Sequence, residues 1–394
     1  MEEYDFNTVI DRKKTNCSKW DGYKSRFGTS EDDVLPMWVA DMDFRAPECV
    51  VEAIMERATH GIYGYPIETD SYYDAIVNWT LRRHGWSIKK DWIAYSAGVV
   101  PALSTIIRAF TNPGDGVVLQ PPVYPPFYEV IENNGCQILR NPLKIEKGKY
   151  TIDFDDLEDK VSDYRTKLLL LCSPHNPVGR VWTKEELLKV GRICMDNDVM
   201  VVADEIHSDI VYSGNEHIPF PSLSEEISLN SIACISPSKT FNVAGLQSSS
   251  IIIPNHRHYN TYFGALQTMR VRKNNIFGLT AAEAAYSGGE KWLEALISYL
   301  DDNISFLEDF LAARLPGVKM FKPEATFLVW LDFRSLGMDP LELADFLINK
   351  AKVALNPGYW FGKEGEGFAR INVGCPRATL EKGLTRIADA LEAL

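Results

Sequence analysis

Six short apolar runs, at 92–95, 117–120, 167–172, 199–203, 231–236 and 249–253, constrain the fold of this chain more than any other feature. Most are continuous rather than alternating, which marks strands covered on both faces. Helical patterns separate them. Val50, Val51, Ile54 and Met55 return at helical spacing over 47–58, a second helix runs from 71 to His84, and Thr183 with Glu186 forms a capping box. Strands alternating with helices predict an α/β unit built on a largely parallel sheet. Whether one or two strands run antiparallel is left open.

The flanks differ in texture. Residues 1 to about 35 are polar and read as irregular, and the apolar segment 35–44 reads as a strand on a domain edge. Towards the C-terminus, a long helix over 290–314 is followed by strands at 325–332 and 368–374 and helices at 341–350 and 380–394. This mixture predicts a smaller α+β domain. The expected division is an N-terminal segment 1–45, a large domain 46–285 and a small domain 286–394.

A net charge of −13 argues against nucleic acid as a partner, because phosphates demand a basic face. Seven cysteines lie scattered with no C-x-x-C pair, which fits a reducing compartment. The opening Met-Glu-Glu-Tyr-Asp-Phe is acidic and unlike a leader, and no apolar run approaches the roughly 20 residues of a membrane span. A cytoplasmic protein without membrane contact is expected.

Chemistry is concentrated just beyond the strand ends. Gly98, Tyr124, Asn176, Asp204 and Lys239 each follow a different apolar run. In an open α/β sheet that edge is where ligands bind. Gly98-Val99-Val100 opens a helix, whose bare N–H groups suit a phosphate. Tyr124 offers a ring for stacking, Asn176 an amide donor for a phenolate, and Asp204 a carboxylate for a protonated ring nitrogen. A lysine desolvated at a strand end is a weakened base and a better nucleophile, able to form an imine. Singly, Asn176-Pro is a good turn, Asp204 a helix cap and Tyr124 a loop residue. Together, in this order, they describe the needs of pyridoxal 5′-phosphate.

The chain resembles the aspartate-aminotransferase (fold type I) superfamily of pyridoxal-phosphate enzymes. The resemblance rests on Asn176-Pro-Val-Gly179, Asp204 and Ser236-Pro-Ser-Lys239, in that order, and extends over nearly the whole chain. Four stretches, 36–44, 204–207, 238–242 and 367–376, are similar to the cystathionine β-lyase-like C–S lyases. The resemblance implies a large domain with a mainly parallel sheet of the seven-stranded type. It implies that Lys239 holds the cofactor as a Schiff base and moves protons, that Asp204 pairs with the ring nitrogen, and that Tyr124 stacks on the ring. Asn176 would bond the phenolate oxygen, and His207 stands where many relatives have tyrosine. Gly98, Val99, Val100, Ser236 and Ser238 would hold the phosphate. Tyr65 would reach the site of a second copy, making a homodimer with a shared active site. Arg370 would clamp the substrate α-carboxylate beside the backbone near Ala40. Leu246 and Gln247 stand where many members carry a phosphate-binding arginine, a departure shared with the lyase-like branch.

The expected activity is β-elimination from cystathionine and other cysteine S-conjugates, a small-molecule amino-acid chemistry giving a thiol, pyruvate and ammonia. An aminotransferase shares every step to the carbanion and is the first alternative. A regulatory pyridoxal-phosphate protein acting through a protein partner is the second.

Overall fold

The computed structural model describes residues 4–271 and 274–394. Met1 to Glu3, the start of the acidic opening, lie outside the described residues. The chain builds a seven-stranded sheet from β1 (Ile93–Ser96), β2 (Gly116–Leu119), β3 (Gln137–Arg140), β4 (Thr166–Cys172), β5 (Met200–Asp204), β6 (Ser231–Ile235) and β7 (Ser249–Ile252). Their spatial order is β1-β7-β6-β5-β4-β2-β3. All neighbours pair in parallel except β7, which runs antiparallel to both β6 and β1.

The apolar runs are covered as their composition requires. Leu168, Leu169, Leu170 and Leu171 of β4 are buried alternately in cores on the two faces of the sheet. Each such leucine contributes about 1.5–3 kcal/mol on leaving water, which makes the interior strands the stable frame for whatever the edge carries. Helix α1 (Glu48–Thr59) and helix α2 (Asp70–His84) precede the sheet. Thr69 caps α2 by accepting from the Tyr72 N–H, and Gly85 ends it in the left-handed region. Helix α3 (Val99–Phe110) buries Ala102, Leu103, Ile106 and Ile107 against the sheet. Thr183 and Glu186 form the expected capping box on α4 (Lys184–Asp196).

A second, four-stranded sheet follows the long helix Glu290–Arg314. It comprises β8 (Lys319–Phe321), β9 (Leu328–Asp332), β10 (Asn356–Pro357) and β11 (Phe368–Asn372), in the order β8-β9-β11-β10 and antiparallel throughout.

The structure corrects or refines the sequence reading at four places. Strand β3 was not read from the sequence, because its side chains are part-exposed and lack a continuous apolar run. The segment 35–44 is not a strand: only Leu35–Pro36 pairs, in parallel with Val353–Ala354. The remainder is buried irregular backbone whose carbonyls are taken by side chains. Asn372 Nδ2 donates to the Val39 and Asp41 oxygens, and Asn242 Nδ2 to those of Met42 and Phe44. The helix expected at 341–350 is Pro340–Asp345 continued by a π-helical turn, Phe346–Lys350. The first 35 residues are not simply irregular. They contain two short helices, and Lys19, 1% exposed, makes a 2.8 Å ion pair with Asp43.

Candidate active site

The ends of β1, β2, β4, β5 and β6 reach one edge of the large sheet, and a cavity opens there. Lys239, Asp204, Asn176, Tyr124, His207 and Ala40 line it, as do Gly98, Val99, Val100, Ser236 and Ser238. Of the residues expected to bind cofactor or substrate, Tyr65 and Arg370 are not in its wall. Arg370 is joined to Asn176, which is. Tyr65 lies 91% exposed on the surface.

Lys239 stands on a short helix, Pro237–Thr240, directly after β6. Ser236 caps that turn by accepting from the Ser238 N–H, while its own hydroxyl donates to the Ser248 carbonyl at 2.7 Å. The turn is thereby fixed to the strand beside it. Lys239 Nζ donates to the Ala40 carbonyl at 2.7 Å. Enclosure by protein pushes its pKa down to about 8, and nearby Arg370 adds to this while the Asp41 and Asp204 carboxylates oppose it. An amine so depressed is a usable base and nucleophile near neutral pH.

Asp204 closes β5 and is buried, with one carboxylate oxygen accepting from the Ile206 N–H at 3.1 Å. Burial pushes it up to about 7. Such a carboxyl has desolvation to recover, and a cationic ring nitrogen would recover it. Burial likewise drives His207 down to about 3, so its imidazole is neutral, and its Nδ1 is buried without a partner. Burial raises the Tyr124 phenol, which stays protonated.

Helix α3 starts at Val99 with no side chain capping its first N–H groups. An uncapped helix start facing a cavity is a ready anion site. Arg370, 3% exposed, projects from β11. Its guanidinium donates to Asn176 Oδ1 at 2.8 Å, Asn356 Oδ1 at 2.6 Å and the Trp38 carbonyl at 3.0 Å, and its Nε is buried without a partner. Burial lowers it to about 10, so it remains a cation at neutral pH. Among the described residues it meets no carboxylate.

Sequence reasoning did not assign several contributors. Asn356 is the ladder partner of Arg370 across β10 and β11, a pairing no local pattern encodes. Gln247, Ser248 and Ser249 also line the cavity. They do so because β7 is antiparallel, so its beginning reaches the edge where its neighbours end. Strand direction was the undecided quantity, and it decided this.

The sequence pattern of the family described as aminotransferase class I and II matches residues 32–387. The chain belongs to that family. Within it, cystathionine beta-lyase PatB of Bacillus subtilis (strain 168) is 50% identical over 386 residues, 98% of this chain and 99% of the relative. Protein MalY of Escherichia coli (strain K12) is 37% identical over 393 residues, 99% of this chain and 100% of the relative. Cystalysin from Treponema denticola, solved with pyridoxal 5′-phosphate, superposes with a TM-score of 0.96 at 39% identity, covering 99% of both chains. A PLP-bound putative aminotransferase from Clostridium difficile 630 gives the same TM-score at 46% identity, covering 99% of this chain and 100% of the other. The resemblance to the fold type I family and its C–S lyase branch is borne out.

Proposed function

We infer that this family member is a pyridoxal-phosphate-dependent C–S β-lyase that cleaves cystathionine and related cysteine S-conjugates to a thiol, pyruvate and ammonia. The observation that carries an amino-acid substrate is Arg370, a buried guanidinium with only neutral partners and one unsatisfied N–H. Leaving a buried cation without an anion is costly, and a substrate carboxylate would remove that cost. The choice of lyase rests on the likeness to PatB and MalY.

The residues present fit the cofactor. Asp204 would hold its ring nitrogen, Asn176 its phenolate oxygen, Tyr124 its ring face, and the start of α3 with Ser236 and Ser238 its phosphate. Arg370 occupies Asn176 Oδ1, which leaves the amide NH2 as the group free to donate. When bound, pyridoxal phosphate supplies an electron-accepting ring that disperses the charge left at a deprotonated α-carbon. Lys239 would hold the cofactor, and its free amine would take the substrate's α-proton. The resulting ammonium then stands ready to protonate the departing thiolate. The neutral His207 and protonated Tyr124 add no charge to compete with these transfers.

The reading includes a homodimer in which Tyr65 completes the neighbouring copy's site. In support, Met55, Ile62, Tyr63, Tyr65 and Ile67, close together in the sequence, are all exposed large apolar residues. A cytoplasmic location accords with seven free cysteines. The proposed division at about 45 and 285 accords with strands β1 to β7 falling within 93–252 and β8 to β11 within 319–372. Product analysis with cystathionine as sole substrate tests the activity: pyruvate and homocysteine in equal amounts support it, and their absence overturns it.

A further inference from the structure

A buried chain of carboxylates and imidazoles runs outside the cavity wall, from the residue after Lys239 towards the residue after Asp204. Thr240 Oγ1 donates to Asp209 Oδ2 at 2.6 Å. The other Asp209 oxygen accepts from Trp79 Nε1 at 3.0 Å and lies 2.9 Å from His84 Nε2. The His84 ring meets that of His217 edge-on, with centroids 5.4 Å apart. His217 Nε2 lies 3.4 Å from Glu205 Oε2 without a hydrogen bond, so the bonded part of the group is centred on Asp209, and Glu205 Oε1 accepts from the Phe220 N–H at 2.6 Å. Thr240, Asp209, His217 and Glu205 are all buried, and none lines the cavity.

Burying a carboxylate is unfavourable unless its lone pairs are satisfied, and apolar packing would hold this region at lower cost. Asp209 is well satisfied: burial raises its pKa, yet His84 and Thr240 hold it below the ordinary carboxylate value. Asp209 and its partners come from three separate elements. Asp209 belongs to the loop leaving β5, whose first residue beyond the strand is Glu205. Thr240 belongs to the turn carrying Lys239. Trp79 and His84 belong to α2. One buried anion therefore ties the lysine turn and the carboxylate loop to a common helix.

We propose that Asp209, held by Trp79 and His84, is a positioning residue: through Thr240 it fixes the direction from which Lys239 meets the cofactor opposite Asp204. The proposal rests on the pyridoxal-phosphate reading above. Lysine has many rotamers, so a fixed turn beneath it spares the entropy of orienting the amine at each turnover.

The test compares Thr240→Val, which keeps the shape and removes the hydroxyl, with Thr240→Ser, which restores it, and with Asp209→Asn. Each is purified with pyridoxal phosphate beside the parent protein. The readouts are the visible circular dichroism of the lysine-bound cofactor, kcat and KM on cystathionine, and thermal unfolding. Thr240→Val and Asp209→Asn are expected to lose half or more of the dichroism and to lower kcat about tenfold or more with little change in KM, consistent with misplaced reacting groups. Thr240→Ser is expected to recover both. Parent-like dichroism and kcat in Thr240→Val, with only the unfolding temperature lowered, would reduce the network to a structural brace and overturn the proposal. A parent protein that forms no lysine-bound chromophore would overturn the cofactor reading and the proposal with it.

Discussion

Asn176 Oδ1 accepts a 2.8 Å hydrogen bond from Arg370 Nη1, joining a loop of the large sheet to a strand of the small one. The bond sets which end of the Asn176 amide remains to donate. It also puts the proposed carboxylate clamp in direct contact with the side chain that would hold the cofactor's phenolate oxygen. In the proposed reading, carboxylate docking at Arg370 and cofactor orientation at Asn176 would thus be mechanically connected.

Arg370→Lys tests the clamp. An ammonium cannot reproduce the three-way contact to Asn176, Asn356 and Trp38 while also offering a fork to a carboxylate. Loss of a buried charge-assisted pair costs about 3 kcal/mol or more, so kcat/KM on cystathionine is expected to fall about a hundredfold or more. The lysine–cofactor absorbance should be retained. Steady-state kinetics beside a visible spectrum check both, and unchanged kinetics would place the carboxylate elsewhere.

The second expectation concerns pH. Capture of pyridoxal phosphate needs the neutral Lys239 amine, and burial lowers its pKa to about 8. Below that value the amine is protonated and capture slows; above it the rate levels off. An ordinary lysine would be less than about 1% neutral at pH 8, so its capture rate would climb until roughly pH 10. Stopped-flow mixing of cofactor-free protein with pyridoxal phosphate across pH 6.5 to about 10 distinguishes the two profiles. A rate still rising through the top of that range would count against a depressed Lys239.

Asp204→Ala removes the buried carboxylate that would hold the ring nitrogen protonated. Cofactor should still bind, through Lys239 and the start of α3, but the carbanion loses its electron sink. A loss of roughly a hundredfold or more in kcat is expected, about 3 kcal/mol of barrier. The measurement is kcat at matched cofactor occupancy; near-parent turnover would reduce Asp204 to a strand-end cap.

Lyase and transaminase part after the shared carbanion. Thiolate is a good leaving group, so cystathionine should turn over many times with no keto acid supplied, releasing pyruvate and ammonia continuously. A transaminase would stop after one turnover per site until a keto acid was added. Pyruvate formation followed against active-site concentration separates them, and product that appears only with keto acid would make this chain an aminotransferase.

Much of the cavity wall was legible in the sequence. Asp204 and Lys239 could be placed because each lies directly beyond a continuous apolar run, and such runs are interior strands whose ends meet at one sheet edge. Gly98, Tyr124 and Asn176 follow the same rule. Local pattern fails where exposure is mixed: the polar edge strand Gln137–Arg140 was missed, and 35–44 resembled a strand because it is buried. Its backbone is instead satisfied by Asn242, Asn372 and Arg370, from distant parts of the chain.

Sequence by itself determined the frame, since apolar runs and helix caps act over neighbouring residues and need no distant partner. Tertiary structure alone decided the antiparallel turn of Ser249–Ile252, which brought Gln247 to Ser249 into the cavity. It alone also decided the meeting of Arg370 with Asn176 and of Asp209 with Thr240. These are pairings between side chains far apart in the chain. Their energy comes from the burial of polar groups that must find partners once water is excluded, and which partner stands within reach is set only when the elements have packed.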